Sequence, residues 1–397
     1  MSSVYRKILA ESLKAPQPPV LGRSSHQRLL HIIASRLESL DPGGLIIAEV
    51  ERSLFEADGA PPLGSILALK MARSQIEVAA LPADLTLWVA FAMYAETNRL
   101  QPLSLHRHGE DLLVNKIEQL EALFAGSRAA WKMVAVDDGC PDGSGKMALE
   151  ILQRSYPEHL ESGRIKVLFL DEAITAGLQE ATGIDDARAS RKGGSLLFGL
   201  RTIHGWSKPG DILLYTDADL STHLGQAGLL IGPLVRGEVD FMAGSRREDD
   251  SVQIKPSSRD KRGRLFISLW KQMLPVLPRI VDSQAAFKAF RADRAGSLLA
   301  QAHRIGFALD LELLLLAHLE GLEIGKTGFC WIDSAAESNT KDLEVHLRIL
   351  QSVAALRRRY LPGNTPGGKV ARFVESLDLQ AWKDCVAEGA VEPFLCD

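Results

Sequence analysis

Residues 213–222, LLYTDADLST, close an apolar run with two carboxylates two positions apart, Asp217 and Asp219. Side chains alternate faces along a strand, so two acids that must meet one ion require the strand to end there. Paired hard oxygen donors in that position suit Mg²⁺ or Mn²⁺ bridging a diphosphate. Open α/β sheets bind their ligands at the carboxyl edge of the strands, where this pair falls.

Four further stretches carry residues able to do chemistry. WKMVAVDDGCPDGSG (131–145) passes from strand character through Asp137 and Asp138 into a Gly/Pro/Asp turn, with a helix starting near Ser144. Amides at such a start can receive an anion, and an aspartate can accept from a base N–H. The plainer reading is that Asp142 or Ser144 caps the helix. In SRKGGSLLFGLR (190–201), Arg191 and Lys192 precede two glycines that would let the backbone approach a diphosphate; a surface charge cluster is the alternative. AGSRRED (243–249) ends a strand at Arg246. It is followed by a basic run, Arg259, Lys261, Arg262 and Arg264, ahead of an amphipathic helix with Phe266, Leu269, Trp270 and Leu274. That pattern fits either a phosphate clamp beside a membrane surface or hydrophobic acceptor, or a solvated face over a core-packed helix. FALDLELLLLAHLEG (307–321) sets Asp310 and Glu312 at the start of an apolar helix. The helix dipole favours acids there, and either is a candidate general base toward an acceptor hydroxyl.

The elements that must position these residues alternate. Strand character falls at 85–94, 131–138, 164–170, 211–217, 239–245 and 322–331, with helical patterns between, which predicts a mostly parallel sheet flanked by helices. Residues 1–84 read as a helical N-terminal extension for packing or homo-oligomer contact, with no constellation assignable to chemistry. Residues 85–335 form the α/β domain, and 336–397 a helical tail. The 397 residues are 24% charged with a net charge of −4, which argues against an electrostatic nucleic-acid binder. The N-terminus lacks the apolar core of a signal peptide, and no stretch approaches the roughly 20 apolar residues of a membrane span. Four scattered cysteines form no CxxC pair, so neither a zinc site nor a disulfide framework is expected. A cytoplasmic protein, at most peripheral to the inner face of a membrane, is the simplest expectation.

The order of these blocks resembles family 2 nucleotide-diphospho-sugar glycosyltransferases of the GT-A fold. It is most similar to the dolichyl-phosphate β-glucosyltransferase and polyprenyl-phosphate sugar synthase branch. VAFAMYAE stands where the family has P-x-Y-N-E, VDDGCPDGSG resembles VDDGSxDGT, and RKGGSLLFGL resembles GKGxAxxxG. TDADLS, AGSRR, RIVDSQAAFKAF, FALDLELLLLA and WIDSAAES follow in family order. The resemblance implies a split at residue 219 between a nucleotide-binding half (85–219) and an acceptor half (220–335). It places Glu96, Asp137, Asp138, Lys192, Asp217 and Arg246 toward the nucleotide sugar, and Asp217 and Asp219 on a Mg²⁺ or Mn²⁺ ion. Arg262, Gln284 and Lys288 fall on the acceptor side, with Asp310 or Glu312 near the reacting centre. Ala92, Ala95, Cys140 and Ala286 depart from the family pattern, and the loops after Glu96 and at 171–189 are longer than minimal. His106 and His108 in the first loop read as ordinary loop histidines.

The implied activity is metal-dependent, inverting transfer of a sugar from a nucleotide-diphosphate sugar to a phosphorylated, lipid-linked or hydroxyl acceptor. UDP-glucose comes first as donor, GDP-mannose second, and a polyprenyl phosphate is one acceptor the branch implies. The rival readings are a sugar-1-phosphate nucleotidyltransferase, whose early G-x-G-x-R element is missing here, and a non-catalytic nucleotide-sugar-binding scaffold.

Overall fold

The computed structural model describes residues 3–12, 22–178, 183–190, 192–254, 260–303, 306, 308–333, 343–363 and 365–388. Its centre is a seven-stranded sheet in the order β3-β2-β1-β4-β7-β5-β8. The strands are β1 (Thr86–Met93), β2 (Ala130–Asp137), β3 (Ile165–Phe169), β4 (Ile212–Thr216), β5 (Phe241–Ser245), β7 (Phe287–Arg291) and β8 (Ile324–Gly328). A small parallel pair, β6 (Val252–Ile254) and β9 (Cys330–Ile332), stands apart. All pairings in the large sheet are parallel except those of β7, which runs antiparallel to both β4 and β5.

Period-two alternation builds two cores on the two faces. Along β1, Leu87, Val89, Phe91 and Met93 pack with the helices α5 (Leu112–Phe124), α6 (Ser144–Ser155) and α8 (Gly228–Val235). Trp88, Ala90 and Ala92 face α7 (Gly193–Trp206), α10 (Ala292–Gln301) and α11 (Leu309–Leu319). The second core extends through α9 (Asp260–Met273) into the tail helices α12 (Leu343–Tyr360), α13 (Pro366–Ser376) and α14 (Leu379–Glu388). Phe266, Leu269, Trp270 and Leu274 of the amphipathic stretch are therefore buried, and that face is core rather than a surface for lipid. Among the described residues no helix is long and apolar enough to cross a membrane.

Two sequence expectations needed correction. The strand anticipated at 322–331 breaks at Phe329 into β8 and β9. The strand β7 was missed because a lysine, Lys288, interrupts the apolar run FKAF, and this lysine is wholly buried.

The N-terminal helices α1 (Ser3–Ser12), α2 (Ser24–Leu40), α3 (Leu45–Glu56) and α4 (Leu63–Ala79) enclose a third core, which also takes in Leu220 and Cys330 of the α/β domain. They are fastened by charge as well. Lys70 of α4, wholly buried, pairs with Glu51 at 2.8 Å and Asp250 at 2.9 Å, and donates to the Gly328 carbonyl at 3.1 Å. Removing one partner of a buried ion pair leaves the other desolvated and uncompensated. Lys70→Met is expected to lower the unfolding free energy by roughly 3 kcal/mol, read from urea midpoints. An unchanged midpoint would mean that apolar contacts alone hold this layer.

Candidate active site

The carboxyl ends of β1, β2 and β4 lie at one edge of the sheet. Because β7 is antiparallel to β4, its amino end and the residues just before it arrive at that same edge. This single reversal brings Asp282–Lys288 beside Asp217, although some seventy residues separate them in sequence.

β4 ends at Thr216, and Asp217 and Asp219 follow, both partly accessible, with Ala218 between them turned into the core. Lys192 forms an ion pair with Asp217, and the Ser221 N–H donates to Asp219 Oδ1 at 3.1 Å. Burial opposes ionisation of Asp217, but Lys192, with Arg246 and Lys116 nearby, more than offsets it and holds the carboxyl below its ordinary value. Asp219 goes the other way, raised by burial and by the Asp217 charge beside it. Lys192 has φ +77°, a strained conformation for a non-glycine residue. Its own N–H is anchored on Asp138 Oδ2 at 2.8 Å.

Two partly accessible carboxylates that repel one another fit a hard divalent ion. Among the described residues no third His, Cys, Asp or Glu joins them as a ligand set. Such a pair suits an ion that takes its remaining ligands from a diphosphate and water, as Mg²⁺ habitually does.

The nucleotide-side residues separate into two kinds. Both oxygens of Asp137 are engaged by the turn that starts α6, accepting from Gly139 N at 2.9 Å and Gly145 N at 2.6 Å. Asp137 is thus a clasp for the turn, not a free ligand. Asp138, by contrast, keeps Oδ1 buried with no hydrogen-bond partner among the described residues. Glu96 is buried against Arg99 at 2.5 Å, and its N–H donates to Ser144 Oγ at 2.8 Å. Ala95, where the family pattern has asparagine, holds φ +56°, a left-handed conformation asparagine adopts more readily.

At the end of β5, Arg246 grips Asp282 through two 2.7 Å bonds, and Asp282 falls to about 2 because this cation outweighs the cost of burial. Gln284 has its Nε2 buried without a partner, as Thr216 has its Oγ1. Lys288 lies opposite Tyr215 in the sheet and donates to Asp310 Oδ1 at 2.6 Å, and the Tyr215 hydroxyl donates to the same oxygen at 3.0 Å. Two positions along α11, Glu312 points elsewhere. It is wholly buried, with Oε2 accepting from His303 N at 2.9 Å and Oε1 meeting the Tyr360 hydroxyl at 3.4 Å. Residues two apart on a helix face roughly opposite sides, so only Asp310 reaches the edge. The side chain of Arg262 lies outside the described residues, as do Arg191 and Arg259. The rings of His106 and His108 lie 5.7 Å apart in the loop, tilted by 50°.

Sequence reasoning missed Lys116. It is wholly buried in α5, and its ammonium donates to the carbonyls of Asp217 at 3.0 Å and Asp219 at 3.1 Å. Burial lowers it to about 8 against the pull of Asp219 and Asp217. The only signal in the sequence was a lysine on the apolar side of an amphipathic helix.

Fold and site together define an open α/β protein with an acidic turn at the carboxyl edge of its parallel strands. No protein-family model matches the chain. The glycosyltransferase AglD of Haloferax volcanii is 24% identical over 215 residues, which is 54% of this chain and 29% of that protein. The chain thus spans less than a third of that protein's length. Solved structures that align with it include two synthases. One is glucosyl-3-phosphoglycerate synthase from Mycobacterium tuberculosis in complex with Mn²⁺ and UDP-glucose (16% identity, TM-score 0.45, 74% of this chain and 84% of that one). The other is mannosyl-3-phosphoglycerate synthase from Rubrobacter xylanophilus (16% identity, TM-score 0.45, 73% and 78%).

Glu96 offers a test of these electrostatics. Burial raises it from 4.5 to about 7 despite Arg99. A carboxyl raised in the folded state contributes stability at low pH that is lost as pH climbs through the folded value. Glu96→Gln removes that loss. Its melting temperature relative to the parent is expected to climb between about pH 5 and pH 7 and level off above. A difference that stays flat across this range would mean that Glu96 titrates normally.

Proposed function

We propose that the chain is an enzyme, a metal-dependent glycosyltransferase of the GT-A type that uses a nucleotide-diphosphate sugar. The observation that carries this reading is the Asp217–Asp219 turn at the end of β4, with Lys192 paired to it. The family pattern in the sequence and the similarity to the glycosyltransferase AglD support it. Asp217 and Asp219 would hold Mg²⁺ or Mn²⁺, which when bound neutralises charge on the departing nucleoside diphosphate. Lys192 adds fixed positive charge at the same place, and its strained backbone sits where α7 begins. The unpartnered Oδ1 of Asp138 is an acceptor for a base N–H, with Glu96 beside the same strand ends.

UDP-glucose is the first donor to test. Asp310 is the carboxylate we assign to the acceptor, in preference to Glu312. One of its oxygens is held by Lys288 and Tyr215, leaving the other to take a proton from an attacking hydroxyl. Attack opposite the leaving group inverts the anomeric carbon. This geometry favours a hydroxyl acceptor over a phosphate one.

Asp219→Asn separates the catalytic role from folding. Asp219 is disfavoured as an anion in the folded protein, so the amide is expected to leave the melting temperature unchanged or higher. Mn²⁺-dependent turnover of UDP-glucose is expected to fall by roughly 100-fold or more. Undiminished turnover in a folded variant would reject the metal role.

A further inference from the structure

The wholly buried lysine of α5 has no part in the family pattern, and its environment is costly for a charge. α5 is otherwise lined with Leu112, Leu113, Ile117, Leu120, Leu123 and Phe124, all buried. An apolar residue at 116 would pack there without desolvating an ammonium. Instead Lys116 spends two of its three N–H donors on the carbonyls of residues 217 and 219, with the ammonium also 5.3 Å from the centre of the Phe91 ring.

Residues 218–220 bend away from the end of β4, yet the carbonyls of residues 217 and 219 both turn to the one ammonium. A single cation gripping both carbonyls therefore sets the two peptide planes relative to each other, and with them the spread of the two carboxylates. Neighbouring residues secure the same segment. Glu110, just before α5, accepts from Leu220 N at 3.0 Å, and Gln119, one turn beyond Lys116, accepts from Leu224 N at 2.8 Å. Behind them Gln27 of α2 contacts Gln119 at 3.4 Å and His223 at 2.7 Å. Leu220 itself is inserted into the N-terminal helical core.

We infer that Lys116 is a positioning residue for the metal: by tying the Asp217 and Asp219 carbonyls to one buried ammonium, it holds both carboxylates at the spacing a single divalent ion requires. This rests on the reading of the acidic pair as the metal site. The N-terminal helices, through Gln27 and the pocket for Leu220, form the wall against which this grip works.

The test uses the full chain and measures Mn²⁺ binding directly, by electron paramagnetic resonance of the free ion in the presence of UDP. For Lys116→Met, circular dichroism is expected to report a folded protein. Its Mn²⁺ affinity is expected to be at least 10-fold weaker, in line with losses seen when groups that orient metal ligands are removed. In turnover, KM for Mn²⁺ should rise by a similar factor, with kcat at saturating metal changing less. A merely structural lysine would lower the melting temperature and kcat without moving metal affinity, and that result would overturn the inference. Lys116→Gln, which keeps a donor, is expected to retain more affinity than Lys116→Met and serves if the methionine variant does not fold. Failure of both to fold would assign Lys116 to folding and reject the positioning role. If the parent protein binds no Mn²⁺ with UDP, it is the metal-site reading that fails, whereas equal binding by parent and Lys116→Met rejects only the part given to Lys116.

Discussion

Two carboxylates side by side at the end of β4 repel one another, and much of the surrounding structure serves to hold them there. The repulsion shows in the opposite displacement of the pair, Asp217 kept anionic by Lys192 and Asp219 pushed toward its neutral form. A chain free to relax would splay these side chains apart. Here the backbone beneath them is held by a buried ammonium, by Glu110 and Gln119, and by Leu220 sunk into a separate core. A divalent ion bound between them would offset the repulsion that raises Asp219.

The same logic runs across the sheet edge, where cations and acids meet in pairs. Lys192 meets Asp217, Arg246 meets Asp282, and Lys288 meets Asp310. Charges desolvated at a sheet edge must be paired or they shift toward neutrality. Pairing also orients them, and Asp310 is the clearest case. Its shared oxygen is directed by a lysine and a tyrosine that face each other across β4 and β7. The helical layers at the two ends of the chain extend this support, the N-terminal one behind the acidic turn and the C-terminal one over α9.

Much of the site could be read from the sequence because its signals are local. The apolar runs of β2 and β4 end at Asp137–Asp138 and Asp217, and that of β5 ends just ahead of Arg246, so strand ends and candidate ligands were legible together. What was illegible depended on partners far away in the chain. Asp137 and Asp138 are adjacent and chemically identical, yet one is consumed by the amides of its own turn and the other keeps an unpartnered oxygen. Asp310 and Glu312 share a helix start, yet helical geometry sends one to the edge and the other against His303 and Tyr360. The N-terminal extension, read as an appendage, shares its core with the residue that follows Asp219.

By itself the sequence determined the alternating α/β architecture, the acidic pair and the lysine before the glycines, since periodicity and short-range spacing carry that information. Only the tertiary structure decided that β7 would run backwards between β4 and β5, and that a lysine on α5 would reach the carbonyls of the acidic turn. Both depend on burying charged side chains, Lys288 and Lys116, in an apolar interior. Such burial is favourable only when distant partners are already in place, and no local pattern of residue types encodes that condition.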